Sequence, residues 1–176
     1  MLEDRVVSFY SGGVDNRGRT LAGILAWPDD QLEAVHDYIQ WMFPTVAPSG
    51  VNPSAPLVTD RTIAACAASP ELRHALRRSL DRMLSFYGLR RDTDPSGAVR
   101  IRIDRPHFDD RAREWLRPGN HNHLRLTRIM QSLSALGLAA EARALQRCLV
   151  TDVCEGPGRN RITDDTVGFW MAAVRP

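Results

Sequence analysis

The chain has 176 residues, 43% of them hydrophobic and 25% charged, with a formal net charge of +2. That length suits one hydrophobic core better than two, and the apolar fraction excludes a wholly disordered or fibrous chain. No stretch approaches the about 20 uninterrupted apolar residues of a membrane helix. Met1-Leu2-Glu3-Asp4 places acids where a secretion signal carries bases. A cytoplasmic protein with no membrane span is expected.

All 23 residues in the Lys+Arg count are Arg. Guanidinium groups recognise carboxylates and phosphates bidentately. Here, however, they are scattered through nearly every segment, which points to a GC-rich, bacterial-type genome and not to one gathered site. Without Lys, Schiff-base, Lys-base and P-loop chemistry are excluded. Cys66, Cys148 and Cys154 form no CxxC pair and read as reduced, mostly buried thiols.

Along the chain, the apolar run Val6 to Tyr10 leads into turn chemistry over Ser11-Gly12-Gly13 and Asp15-Asn16-Arg17-Gly18-Arg19. A short helix is predicted over Leu21 to Trp27. A second follows Pro28, with Leu32, His36, Ile39 and Phe43 spaced as one apolar helical face up to the stop at Pro44. Three prolines, Pro48, Pro53 and Pro56, mark a loop. Thr59 or Asp60 caps a helix through Ala68. Ser69-Pro70-Glu71 opens another, whose Leu72, Leu76, Leu80, Met83 and Tyr87 share a stripe that closes at Gly88. Val99, Ile101 and Ile103 alternate with Arg100, Arg102 and Asp104, a strand pattern for which Val6 to Phe9 is the evident partner. Helices are then predicted over Phe108 to Leu116, from a capping Asn122 to Gly137, over Ala139 to Leu149, and from Thr163 through Trp170. The fold class is therefore all-α or nearly so: a compact multi-helix single domain with at most one short β-hairpin or strand pair.

Chemistry-bearing residues concentrate on two helices. The helix ending at Phe43 carries Glu33, Asp37, Gln40 and Trp41 beside Tyr38. At about 100° per residue, His121, Arg125, Arg128 and Ser132 share one sector of the helix after Asn122. Glu33 and Asp37 could pair with Arg125 and Arg128 in an interhelical ion-pair network. Alternatively Arg125 and Arg128 hold an anionic ligand, with Asn122 and helix amides as donors, Trp41 or Tyr38 as a flat wall, and Asp37 orienting polar groups. His121-x-His123 diverges on a helix and supports no metal site; His36 reads as a hydrogen-bonded core residue. The arginines at 73, 77, 78, 82, 90 and 91 read as a solvated face, not a nucleic-acid footprint. No GxSxG, HExxH or GxGxxG motif occurs, and no cofactor is expected.

Three segments together carry a resemblance. They are Asp29-Asp30-Gln31-Leu32-Glu33 with His36-Asp37-Tyr38-Ile39-Gln40-Trp41-Met42-Phe43-Pro44; Met83-Leu84-Ser85-Phe86-Tyr87-Gly88-Leu89; and Asn122-His123-Leu124-Arg125-Leu126-Thr127-Arg128-Ile129-Met130. Together they resemble the conserved domain of the opioid growth factor receptor family, as a short, bacterial-type member. The resemblance implies a helical domain over 21–150, after an N-terminal arm at 1–20 and before a C-terminal loop and helix at 151–176 packed on the same domain. It also implies a binding role, the family's name attaching in animals to a receptor for an enkephalin-type peptide. The expected module takes a small anionic ligand or a peptide, or meets a protein partner, through Asp37, Tyr38, Gln40, Trp41, Asn122, His123, Arg125 and Arg128. Two other readings stay open. One is a small bacterial enzyme with Asp37 or His123 as acid/base and Arg125 and Arg128 anchoring an anionic substrate. The other is a structural interaction protein.

Overall fold

The computed structural model describes residues 4–174. Among them, ten α-helices, one π-helical segment and one two-stranded antiparallel sheet account for the regular structure, so the chain is helical with a single hairpin. It divides into two compact units. One runs to Leu80 and takes in Ala135–Gly137; the other holds Asp81–Ser134 and the chain from Leu138 onward.

The first unit opens with α1 (Arg5–Tyr10). The run Val6 to Phe9, expected as a strand, is helical. The Asp4 carboxylate accepts the amides of Val6 and Val7 at 3.0 and 3.2 Å, an N-cap that an edge strand would waste. Val6, Phe9 and Tyr10 then fall on one buried face. Helix α2 (Leu21–Leu25) starts at Thr20, whose hydroxyl accepts the Gly23 amide.

The single helix expected up to Phe43 is two, α3 (Asp29–Ala34) and α4 (Ile39–Met42). Val35 is extended at φ −92° and ψ 131°, a conformation its branched side chain tolerates better than a helix interior. Beyond it, Asn52 donates to the Asp37 carbonyl at 3.2 Å, and the Tyr38 hydroxyl donates back to the Leu32 carbonyl at 3.1 Å. These bonds hold the break in place. His36, expected in the core, lies in this connection and is exposed. Helix α5 (Asp60–Ala68) begins with a capping box between Thr59 and Thr62, and the Thr62 hydroxyl donates to Asp4 at 2.7 Å, tying α5 to the start of α1. Helix α6 (Pro70–Tyr87) follows its Ser69 cap, which accepts the Leu72 amide at 3.2 Å.

In the second unit, β1 (Leu89–Thr93) pairs with β2 (Val99–Ile103), Leu89 opposite Ile103 and Thr93 opposite Val99. The strand at 99–103 thus finds its partner ten residues or so back and not at the N-terminus. The Asp94 carboxylate accepts the Ser96 and Ala98 amides, and Gly97 supplies φ +84°, so the turn closes locally at small entropic cost. Then come α7 (Arg105–Trp115), α8 (Asn122–Ala135) and α9 (Ala139–Arg147). Helix α9 runs directly into a π-helical segment (Cys148–Val153), and α10 (Asp164–Ala172) starts at its Thr163 cap. Tyr87, Phe108, Trp115, Leu126, Met130, Leu145 and Trp170 are buried in this unit.

Candidate functional site

The eight residues singled out by sequence divide between the units: Asp37, Tyr38, Gln40 and Trp41 in the first, Asn122, His123, Arg125 and Arg128 in the second.

In the first unit Asp37 is an ion-pair partner. Its carboxylate takes Arg19 Nη1 at 2.8 Å and Arg17 Nε at 3.2 Å, and Arg19 Nε reaches the fully buried Asp15 carboxylate at 2.6 Å. Asp15 also accepts the amides of Arg17 and Arg19, so one carboxylate shapes the whole turn. Partial burial would raise the Asp37 carboxyl, but the hydrogen bond and charge of Arg19, with the charge of Arg17, hold it below its ordinary value. The Arg19 guanidinium also lies 5.5 Å from the Trp27 ring centroid, which in turn meets Tyr38 edge-on. Asp15, Arg17, Arg19 and Trp27 were not legible as a group. Alternating charge around Gly18 reads as a turn, and only the fold aims it at Asp37.

Tyr38 and Trp41 are both buried, and Gln40 is 5% exposed. Trp41 packs on Phe9 and carries the Arg5 guanidinium 4.7 Å over its ring. Among the described residues, Gln40 Oε1 and Trp41 Nε1 are buried without a hydrogen-bond partner, as is Arg19 Nη2. A buried orphan costs about 1–3 kcal/mol, so three in one unit are conspicuous.

In the second unit, α8 turns its first residues inward. Asn122 is fully buried and does not cap its helix: the Asn120 side chain takes the Asn122 amide at 2.9 Å. Asn122 Oδ1 instead accepts from the Tyr87 hydroxyl at 3.3 Å and from Arg125 Nη1 at 3.2 Å. The His123 ring makes T-shaped contacts with Trp115 and Trp170, its Nε2 2.9 Å from the Trp115 carbonyl, while Trp170 Nε1 donates to the His123 carbonyl at 3.2 Å. Burial lowers the His123 pKa, outweighing that hydrogen bond. A carbonyl oxygen can only accept, so Nε2 carries the proton in that bond. Arg125 is 5% exposed, and burial lowers the pKa of the half-buried Arg128. Among the described residues, no three His, Cys, Asp or Glu side chains gather as a metal ion requires.

The model of the opioid growth factor receptor conserved region matches residues 19–176. This chain belongs to the opioid growth factor receptor family. It is 34% identical to the opioid growth factor receptor of Mus musculus over 175 residues, covering 96% of this chain and 27% of the mouse protein. The Rattus norvegicus receptor is likewise 34% identical over 175 residues, 96% of this chain and 29% of that protein. The Homo sapiens receptor is 36% identical over 155 residues, 85% of this chain and 22% of its own length. The chain therefore spans about a quarter of the curated receptors it matches. No solved structure matches it. No helix among the described residues of this family member is long and apolar enough to cross a membrane.

Proposed function

We propose that this member of the opioid growth factor receptor family is a binding module for a peptide or a small anionic ligand. Two sets of side chains, each within its own unit, are its proposed binding residues: Asp37, Tyr38, Gln40 and Trp41 in the first, and Asn122, His123, Arg125 and Arg128 in the second. One observation carries the reading: neighbouring side chains of α4, Gln40 and Trp41, keep a buried acceptor and a buried donor without partners among the described residues. A peptide unit offers both complements, an N–H for Gln40 Oε1 and a C=O for Trp41 Nε1. The name receptor, borne by the mouse, rat and human relatives, supports the same direction. The enzyme reading gains nothing from His123, whose Nε2 is engaged by a backbone carbonyl. The interaction-protein reading draws on Leu124, Phe169 and Met171, exposed on α8 and α10.

Isothermal titration with an enkephalin-type peptide, run on wild type and on Gln40→Leu/Trp41→Phe, tests the proposal. The double variant removes both orphan atoms while keeping the apolar volume, so it is expected to stay folded by circular dichroism and to bind at least about tenfold more weakly. Native mass spectrometry of the protein isolated from its own host covers a small anionic occupant. Heat-silent titration together with a bare mass in wild type overturns the reading, as does equal binding by the variant.

A further inference from the structure

Beside β2 lies a cleft of about 410 Å³, within the second unit and remote in sequence from the residues above; Arg100, Ile101 and Arg102 line it on one side, Arg147, Cys148 and Asp152 on the other. It meets four consecutive residues of the strand, 99–102. A cleft against one face of a strand would meet every second side chain, so this one runs along the edge.

The register says what that edge offers. The Asp94 amide bonds the Ala98 carbonyl at one end of the hairpin and the Asp104 amide bonds the Gly88 carbonyl at the other. Bonded pairs alternate along an antiparallel ladder, so Asp92 with Arg100 and Arg90 with Arg102 are the bonded pairs. The N–H and C=O groups of Val99, Ile101 and Ile103 therefore point away from β1, toward the other edge. Among the described residues no strand pairs there. Helix α9 and the π-helical segment pack against β2, and residues of both reach the cleft. A π-helical turn is uncommon and concentrates at functional sites; here it carries Cys148 and Asp152 into the lining.

Charge decides the occupant. The lining holds Arg100, Arg102 and Arg147 against the single carboxylate of Asp152. Arg100 and Arg102 are exposed and spend part of their charge on Asp94 at 3.1 Å and Asp92 at 3.8 Å, while Arg147 is an exposed residue at the C-terminal end of α9. We propose that the free edge of β2 takes an acidic peptide in extended conformation as a third strand, with Arg100, Arg102 and Arg147 binding its carboxylates. In a peptide of alternating Glu and a β-branched residue, one face meets the outward arginines and the other continues the face of Val99, Ile101 and Ile103.

The test uses a fluorescein-labelled peptide of alternating Glu and Val. Anisotropy should show binding that weakens with salt, and Arg100→Gln/Arg147→Gln should weaken it at least about tenfold. Amide exchange read by NMR on the unmutated chain gives the second measurement. Bound peptide should protect the amides of Val99, Ile101 and Ile103 and leave those of Arg100 and Arg102, already bonded to β1, unchanged. A peptide N-methylated at alternate residues, so that it cannot pair, should not bind. Absence of binding, equal binding by the double variant or the N-methylated peptide, or no added protection at Ile101 would each overturn the proposal. Displacement of the peptide by millimolar inorganic phosphate alone would overturn it too, as it would reveal a general anion site.

Discussion

His123 illustrates how one buried side chain makes stability depend on pH. Its ring is enclosed by Trp115 and Trp170 and its pKa is lowered by burial. Below about pH 6.5 the unfolded chain takes up a proton that the folded chain refuses, so stability falls as pH drops through that value toward the lower folded pKa. Above it the effect vanishes. Urea midpoints should therefore decline between pH 7.5 and 5.5, and His123→Gln, which keeps a donor for the Trp115 carbonyl, should flatten the decline; an unchanged slope would show that another group is responsible. Asp37 acts in a different window. Held low by Arg19 and Arg17 against the opposing pull of burial, it contributes stability that is present above the ordinary carboxylate range and lost as pH falls below it. The sequence singles out both residues but does not name their partners, Arg17 and Arg19 for Asp37 and the Trp115 carbonyl for His123. His123, expected among the ligand-binding residues, lies against two tryptophans, a setting that depends on which distant helices reach the ring.

At the scale of elements, caps and stops were the most legible features. Thr59, Ser69 and Thr163 start helices and Gly88 ends α6, as their local chemistry requires. Gly88 does more than adopt φ +71°: a Cβ there would lie 2.6 Å from the Phe108 Cα. Gly119 has the same φ of +71° with nothing within 4 Å. Gly119→Ala should thus cost only the strain of a left-handed residue, about 1 kcal/mol, and Gly88→Ala about 1–3 kcal/mol more by displacing α7. Calorimetric melting of the two variants side by side measures the difference, and equal shifts would mean that the backbone at Phe108 gives way freely. The partner of the strand at 99–103 and the helix break at Val35 escaped the sequence for the same reason. Periodicity reports which face is apolar, but not where a side chain such as Asp4, Asp94 or Tyr38 will claim a backbone group.

For the whole molecule, the thiols give a global readout of packing. Cys66 and Cys148 are buried and Cys154 is partly so. Burial, with the charge of Asp152, pushes Cys148 up to about 12. Burial and Asp4 raise Cys66 despite Arg73, and burial with Glu155 raises Cys154. Thiolate, the reactive form, is therefore scarce at all three positions. At pH 8 a disulfide reagent such as DTNB should modify Cys154 slowly, and Cys66 and Cys148 only on unfolding, so that three equivalents appear in denaturant. Rapid release from Cys148 in the native protein would mean that the cleft beside β2 opens down to its floor.

Fold class, most helix boundaries and the membership of a family with a distinctive His-Asp-Tyr-Ile-Gln-Trp run followed from the chain alone, because each depends on neighbours a few residues apart: a cap and its amide, an apolar stripe at helical spacing, a contiguous motif. Three features depended on folding. These are the pairing of Asp37 with Arg17 and Arg19, the inward turn of Asn122 and His123, and the cleft that β2 shares with Arg147. Each joins residues that are separated in sequence and governed by charge or hydrogen-bond direction. Such groups carry no period, and their partners are chosen only when packing has decided which of them lose their water.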